Sequence, residues 1–189
     1  MSMYWKWDKF VPAQICEAFI QEMHYTKLQD ATIFDGYSST NTSVKQKDVR
    51  NNKVAFMPAN HWMEGILYNF ARYANSAAGW NFDVPYNEDI QYVEYGPGEK
   101  YDWHADKEFY LPKPGMRKLS VILQLSKSSD FTGGGLFLKD GDEKVLEGSL
   151  LKEQGDVVVF PSFLLHKAAE VESGVRRAVV LWATGPALK

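Results

Sequence analysis

A mainly β fold with supporting helices, built on a double-stranded β-helix (jelly-roll, cupin-like) core, is what this chain predicts, and three observations carry the prediction. The first is a change of period. Apolar residues recur at helical spacing in two early stretches, and from residue 80 onward they fall instead into short strand-like runs. The second is the Gly and Pro punctuation of those runs, which argues for a sandwich or barrel rather than a parallel sheet with crossover helices. The third is length: 189 residues suit one domain with a sizeable core. The expected organisation is a single domain over residues 1–189, with 1–79 as helical support and lid segment and 80–189 as a jelly-roll core.

In chain order, residues 4–11 alternate Trp5, Trp7 and Val11 with charged neighbours and reach Pro12, whose fixed φ suits the first position of a helix. Ile15, Phe19, Ile20 and Met23 extend that helix at helical spacing to about Lys27. Ala31–Phe34 fits a strand. Asp35–Lys53 is a long polar segment that suits either a substrate lid or a surface excursion with a short strand. Its basic residues Lys45, Lys47, Arg50 and Lys53 read as a solvated loop. A second helix is expected from near Pro58 to about Ala77, on the stripe Trp62, Ile66, Leu67, Phe70, Tyr73 and Ala74, with Gly79 as its stop. Strands are expected at 89–95, 101–106, 117–125, 135–139, 144–147, 157–160 and 175–183.

Composition narrows the function classes. Hydrophobic residues at 45% and charged residues at 24% are ordinary for a soluble globule, and 14% aromatic residues point to an aromatic core or groove. A net charge of −3 gives no overall drive toward nucleic acid, so no nucleic-acid partner is expected. The single cysteine, Cys16, excludes an internal disulfide framework and fits a reducing compartment. No apolar run is long enough for a membrane helix or a signal peptide, and the expectation is a cytoplasmic protein with no membrane partner. The oligomeric state is left open.

The chemistry gathers at Tyr101-Asp102-Trp103-His104-Ala105-Asp106. Side chains two apart on a strand leave the same face, so His104 and Asp106 can converge on one point. An imidazole and a carboxylate there make half a site for a divalent first-row transition metal, and His166, following the run Val157-Val158-Val159-Phe160, can complete it. Arg176, ten residues further on and opening another apolar run, offers a planar fork for a carboxylate. A His-x-Asp pair alone is a weak signal, and the order of these pieces is the stronger one.

That order resembles the Fe(II)/2-oxoglutarate dioxygenases, in particular their prolyl-4-hydroxylase-like branch. The resemblance runs through Gln91-Tyr92-Val93-Glu94-Tyr95-Gly96-Pro97-Gly98, Gly133-Gly134-Gly135-Leu136, Gly155-Asp156-Val157-Val158-Val159-Phe160-Pro161-Ser162 and Gly174-Val175-Arg176-Arg177. It implies Fe(II) held by His104, Asp106 and His166, with 2-oxoglutarate and O2 at the remaining positions and ascorbate as a candidate reductant. It also implies conversion of 2-oxoglutarate to succinate and CO2 with hydroxylation of a substrate C–H bond, on a peptidyl proline, an amino acid or a related small molecule.

Further roles follow from the same resemblance. Arg176 would hold the far carboxylate of 2-oxoglutarate. Its neighbour Arg177 must point to the opposite face of the strand, so only one of the two enters the site. Gln124 stands where some relatives place a cosubstrate-binding tyrosine, and a cosubstrate role and a structural hydrogen bond are both open. Tyr95 and Tyr101 match tyrosines near the cosubstrate, with aromatic packing as the other reading. The glycine triplet at 133–135 marks a bulge or a pocket wall. Residues 107–116, with Phe109, Tyr110 and Leu111, are a substrate rim or a crossover loop. Two rival readings remain: a Zn-dependent jelly-roll hydrolase or isomerase on the same three ligands, and a non-catalytic jelly-roll binding module.

Overall fold

The chain opens with β1 (Trp5–Trp7) and helix α1 (Ala13–Met23), passes through the short strands β2 (Gln29–Asp30), β3 (Ile33–Phe34) and β4 (Ser43–Val44), and reaches β5 (Lys53–Met57) and helix α2 (Trp62–Ala77). After α2 come β6 (Tyr86–Asn87), β7 (Ile90–Tyr95), β8 (Tyr101–His104) and β9 (Met116–Gln124), then a 3₁₀ turn at Ser128–Asp130. The remaining strands are β10 (Phe131–Gly133), β11 (Leu136–Leu138), β12 (Val157–Pro161), β13 (His166–Ala168), β14 (Val171–Gly174) and β15 (Arg176–Gly185). These elements come from a computed structural model that describes residues 2–34, 43–44, 47–58, 60–106, 115–140, 142, 144–146 and 148–186.

The major sheet runs in the order β1-β12-β9-β15-β7-β5-β2, with β6 pairing β15 beside this path, and the minor sheet runs β11-β13-β8. Their strands pair antiparallel, as the jelly-roll expectation requires. Period-two alternation then sorts each major-sheet strand into two faces. Leu119, Val121 and Leu123 of β9 and Val179, Leu181 and Ala183 of β15 pack with the helices, around Phe19, Met63, Leu67 and Ala71. The alternate residues Ile122, Ala178, Val180 and Trp182 face the minor sheet, with Leu136, Leu138 and Ala168 opposite. The molecule is thus layered as helices, major sheet, minor sheet, and the space between the two sheets is where the remaining chemistry lies.

Both helices follow from one apolar stripe each, but each is shorter than its sequence pattern. α1 ends at Met23, and α2 begins at Trp62 because His61 caps it, its Nδ1 accepting from the Met63 amide at 3.2 Å. Gly79, with φ of 71°, ends α2 as expected. Strand β5 was not expected. Its Ala55 and Met57 face the helices and its Val54 the other side, and a strand apolar on both faces shows no alternation to read. Conversely, the strand expected at 144–147 is reduced, among the described residues, to one bridge between Lys139 and Val145. The Asp140 carboxylate accepts from the Asp142 and Lys144 amides there and turns the chain. Because β1 and β5 join the major sheet, residues 1–79 contribute to the sheet as well as covering it. The lid expected within 35–53 and the rim expected within 107–116 lie for the most part outside the described residues. Among the described residues, no helix is long and apolar enough to cross a membrane.

The central position of β15 predicts a large cost for emptying it. Leu181→Ala, at a fully buried side chain between sheet and helices, is expected to lose about 2–5 kcal/mol of stability. Urea unfolding followed by circular dichroism checks this, and a loss below 1 kcal/mol would contradict the layering.

Candidate active site

His166 of β13 and His104 of β8 are direct cross-strand partners in the minor sheet. That register brings their imidazoles to 4.1 Å between ring centroids. β8 ends at His104, and the next turn carries Asp106 in between them. Its Oδ1 lies 3.6 Å from His104 Nε2 and its Oδ2 lies 3.4 Å from His166 Nε2. The three ligand atoms all lie within 4.8 Å of one another. Donors about 2.1 Å from one ion and at right angles to each other stand about 3 Å apart, so a divalent metal fits this set.

The hydrogen bonds around the three residues fit a metal as well as the spacing does. His104 Nδ1 lies 2.7 Å from the Asp102 carbonyl and His166 Nδ1 lies 3.0 Å from the Leu164 carbonyl. A carbonyl can only accept, so both rings carry a proton on Nδ1, and Nε2 is the nitrogen each turns to the centre. Asp106 Oδ2 accepts from Ser120 Oγ at 2.8 Å and from Trp182 Nε1 at 2.9 Å, both on the major sheet. Oδ1 is therefore the oxygen available to a metal. Burial pushes the Asp106 carboxyl up, but His166, His104 and Arg117 outweigh it and hold it well below the usual carboxylate range. Burial and the neighbouring His104 push His166 down to about 4, so its ring is neutral and ready to ligate at neutral pH.

The triad opens onto a cavity of about 890 Å3 between the two sheets, within the size range of small-molecule sites. Alternation along β15 sends Arg176, Ala178, Val180 and Trp182 into it and Arg177 away. Arg176 is 2% exposed, and its Nε donates to Gln124 Oε1 at 3.1 Å. No carboxylate among the described residues pairs with it, and burial lowers its pKa from the usual value. Arg177 is half-buried and paired with Glu94 at 3.0 Å. A buried guanidinium facing a cavity without a counter-charge suits an anionic ligand.

The other sequence candidates divide. Tyr95 and Tyr101 both line the cavity, and Arg176 Cζ lies 5.6 Å from the Tyr95 ring. Tyr101 stacks on His104 with centroids 3.4 Å apart. Gln124 is fully buried and does not line the cavity: its Oε1 is occupied by Arg176 and its Nε2 donates to the Ser126 carbonyl at 3.3 Å. Its contacts are with the arginine and the Ser126 carbonyl. The glycine triplet is both bulge and wall. The β10–β14 register shifts at Gly133, and a Cβ on Gly134, whose φ is 62°, would meet the Val171 and Arg176 side chains.

Sequence reading missed three contributors. Ser120 and Trp182 hold Asp106, and alternation along β9 and β15 already puts them on the faces of Gln124 and Arg176 respectively. Trp182 is in turn covered by Arg117, whose Cζ lies 3.8 Å over the indole and whose Nε donates to Glu88 Oε1 at 2.8 Å. The third is Arg50. It is buried in the cavity wall rather than in a solvated basic loop, and its spacing carried no signal of that.

Comparison with known proteins agrees with this chemistry. Residues 90–184 match the model of the 2OG-Fe(II) oxygenase superfamily, and the chain belongs to that family, whose members use Fe(II), 2-oxoglutarate and O2. A PKHD-type hydroxylase of Synechococcus sp. (strain CC9605) is 39% identical over 85 residues, covering 45% of this chain and 36% of the relative. This match therefore spans little more than a third of that relative's length. A Pseudomonas putida prolyl-4-hydroxylase shares the fold with a TM-score of 0.70 at 18% identity, over 98% of this chain and 94% of that one. So does a Trichoplax adhaerens prolyl hydroxylase in complex with a hypoxia-inducible-factor peptide fragment, with a TM-score of 0.69 at 19% identity, over 96% and 83% of the two chains.

Two predictions follow from the groups around the triad. Trp182→Phe removes one of the two hydrogen bonds that orient Asp106, and metal affinity is expected to fall about 10–100-fold, by anaerobic Fe(II) titration. An unchanged affinity would mean that the indole does not orient the ligand. In the metal-free protein, His166 binds its proton less readily folded than unfolded, so stability is lost as pH falls from about 6.5 to about 4. His166→Gln is expected to flatten that part of the stability profile, measured by urea unfolding across the window.

Proposed function

We propose that this chain is a hydroxylase in which His104, Asp106 and His166 hold Fe(II), Arg176 seats the far carboxylate of 2-oxoglutarate, and a C–H bond of an amino acid, a peptidyl proline or a related small substrate is hydroxylated. The observation that carries the reading is the coexistence, in one cavity, of two imidazole Nε2 atoms turned toward Asp106 with a buried guanidinium unpaired among the described residues. When bound, iron and cosubstrate supply the oxidising chemistry, with 2-oxoglutarate and O2 converted to succinate, CO2 and the hydroxylated substrate.

The chain's own residues supply the rest. The Nδ1 protons of His104 and His166 are spent on backbone carbonyls, so Nε2 is the nitrogen each ring offers to the metal. Ser120 and Trp182 keep Asp106 in one orientation. Arg176, held at its Nε by Gln124, keeps the far edge of its guanidinium for a carboxylate, with Tyr95 beside it. Ala178 and Val180 form apolar walls that exclude water. Residues 1–189 act here as one domain, since β1 and β5 complete the sheet that carries β9 and β15. The names of the relatives support a prolyl or aminoacyl substrate. A Zn-dependent hydrolase would leave Arg176 without employment.

Turnover tests the reading. Purified protein with Fe(II), ascorbate and O2 is expected to convert 2-oxoglutarate to succinate, slowly when no primary substrate is present. Arg176→Gln is expected to raise the KM for 2-oxoglutarate about 10–100-fold, the loss of a charge-assisted hydrogen bond. His166→Ala is expected to abolish turnover. Succinate formation that is indifferent to both substitutions would refute the assignment.

A further inference from the structure

The cavity holds a second buried guanidinium that the cosubstrate does not account for. Arg50 is 9% exposed, and the chain fixes it by main-chain bonds. The segment around it pairs with β8 through an Arg50–Tyr101 bridge, Asp102 N–H donates to the Val49 carbonyl at 2.8 Å, and Asn51 N–H donates to the Lys100 carbonyl at 3.3 Å. Among the described residues, the side chain is held by neutral acceptors alone: Asn52 Oδ1 at 2.9 Å, the Thr32 carbonyl at 3.3 Å and Gln91 Oε1 at 3.0 Å. Its Cζ lies 4.4 Å over the Tyr101 ring, and that ring lies parallel on His104, so guanidinium, phenol and imidazole form a three-layer stack ending at the metal set.

Charge accounting makes the arginine informative. Among the described residues, the cavity's other arginines are Arg117, paired with Glu88, and Arg176, assigned above to 2-oxoglutarate. Asp30, which lines a smaller cleft on the other side of Arg50, is paired with Lys53. Among the described residues, no carboxylate pairs with Arg50. A cation taken out of water is costly unless an anion offsets it, and three neutral acceptors offset it in part. Three of its five N–H donors are spent on those acceptors, and among the described residues nothing takes the other two. 2-Oxoglutarate has only two carboxylates, one for the metal and one for Arg176, and both are used.

We propose that Arg50 is the seat of a carboxylate belonging to the primary substrate, so that the substrate is a free amino acid, or another small molecule or chain end carrying its own carboxylate, rather than an internal residue of a peptide. The identity of that ligand as primary substrate rests on the oxygenase reading, whereas the anion seat itself does not. Tyr101 sets the spacing: a carboxylate on Arg50 lies one aromatic layer away from His104, which places the carbons next to it toward the metal. Tyr95 stands between the two arginines and feels both, since Arg50 and Arg176 each oppose the rise that burial gives its pKa.

The test reads Arg50 directly. Zn(II)-loaded protein with isotope-labelled arginine is saturated with 2-oxoglutarate, and the Arg50 Nε–H resonance, assigned by its loss in Arg50→Gln or Arg50→Lys, is followed by NMR. Acetate is then titrated, and acetamide separately as a neutral mimic of the same size. Expected is a saturable shift with acetate and a response at least about tenfold weaker with acetamide. An Arg50 resonance indifferent to acetate overturns the proposal. So does one already moved to saturation by 2-oxoglutarate, because Arg50 would then belong to the cosubstrate. If acetate shifts the signal while the iron protein turns over no 2-oxoglutarate, the oxygenase reading falls and the anion seat stands.

Discussion

The antiparallel register that sets His166 opposite His104 is a constraint on every functional group in this chain. Side chains alternate across a sheet, so a slip of one residue in that pairing would turn one imidazole away from the cavity and leave Asp106 with a single partner. The register is itself held from outside the minor sheet. Asp106, carried by the turn after β8, is hydrogen-bonded to Ser120 of β9 and Trp182 of β15. One carboxylate thus pins the minor sheet to the major sheet at the point where the metal set is assembled. Stability and ligation are coupled there, because the bonds that keep the sheets in place also choose which carboxylate oxygen is offered to the ion.

Electrostatics divide the cavity into a metal end and anion seats. At the triad, the neutral imidazole of His166 faces an ionised carboxylate, an arrangement that invites a cation. Beyond it stand Arg176 and Arg50, cations with no acid beside them among the described residues. Buried charges of this kind are costly unless a ligand pairs with them. The proposed anion seats rest on the presence of two such guanidiniums in one cavity. Gln124 shows how finely the first of these seats is set. An acidic partner at that position would neutralise Arg176, whereas the amide holds its Nε and leaves its charge unspent.

Much of this was legible in the sequence because it rests on period two. Alternation along β15 put Arg176 and Arg177 on opposite faces, of which the structure turns Arg176 into the cavity, and the same count along β9 puts Ser120, Ile122 and Gln124 on one face. The His-x-Asp spacing and the later His166 pointed to the metal set, although His166 lies on its own strand of the minor sheet rather than on an extension of β12. What was not legible depends on tertiary contacts. Arg50 sits in a polar, lysine-rich stretch and is buried only because the segment pairs with β8. Strand β5 is apolar on both faces and lacks an alternating pattern. The Lys139–Val145 bridge replaces an expected strand because the Asp140 side chain captures the backbone amides that a ladder needs. Each of these is a case of a distant partner, or a local side chain, overriding the pattern of the residues themselves.

The central claim is that one cavity binds iron and 2-oxoglutarate together, and it is tested most directly by anaerobic addition of 2-oxoglutarate to the Fe(II)-loaded protein with the visible spectrum recorded. The account predicts a metal-to-ligand charge-transfer band that saturates with the bound iron and shifts to much higher 2-oxoglutarate concentrations when Arg176 is removed. A folded, iron-loaded protein that shows no band at any 2-oxoglutarate concentration would contradict it.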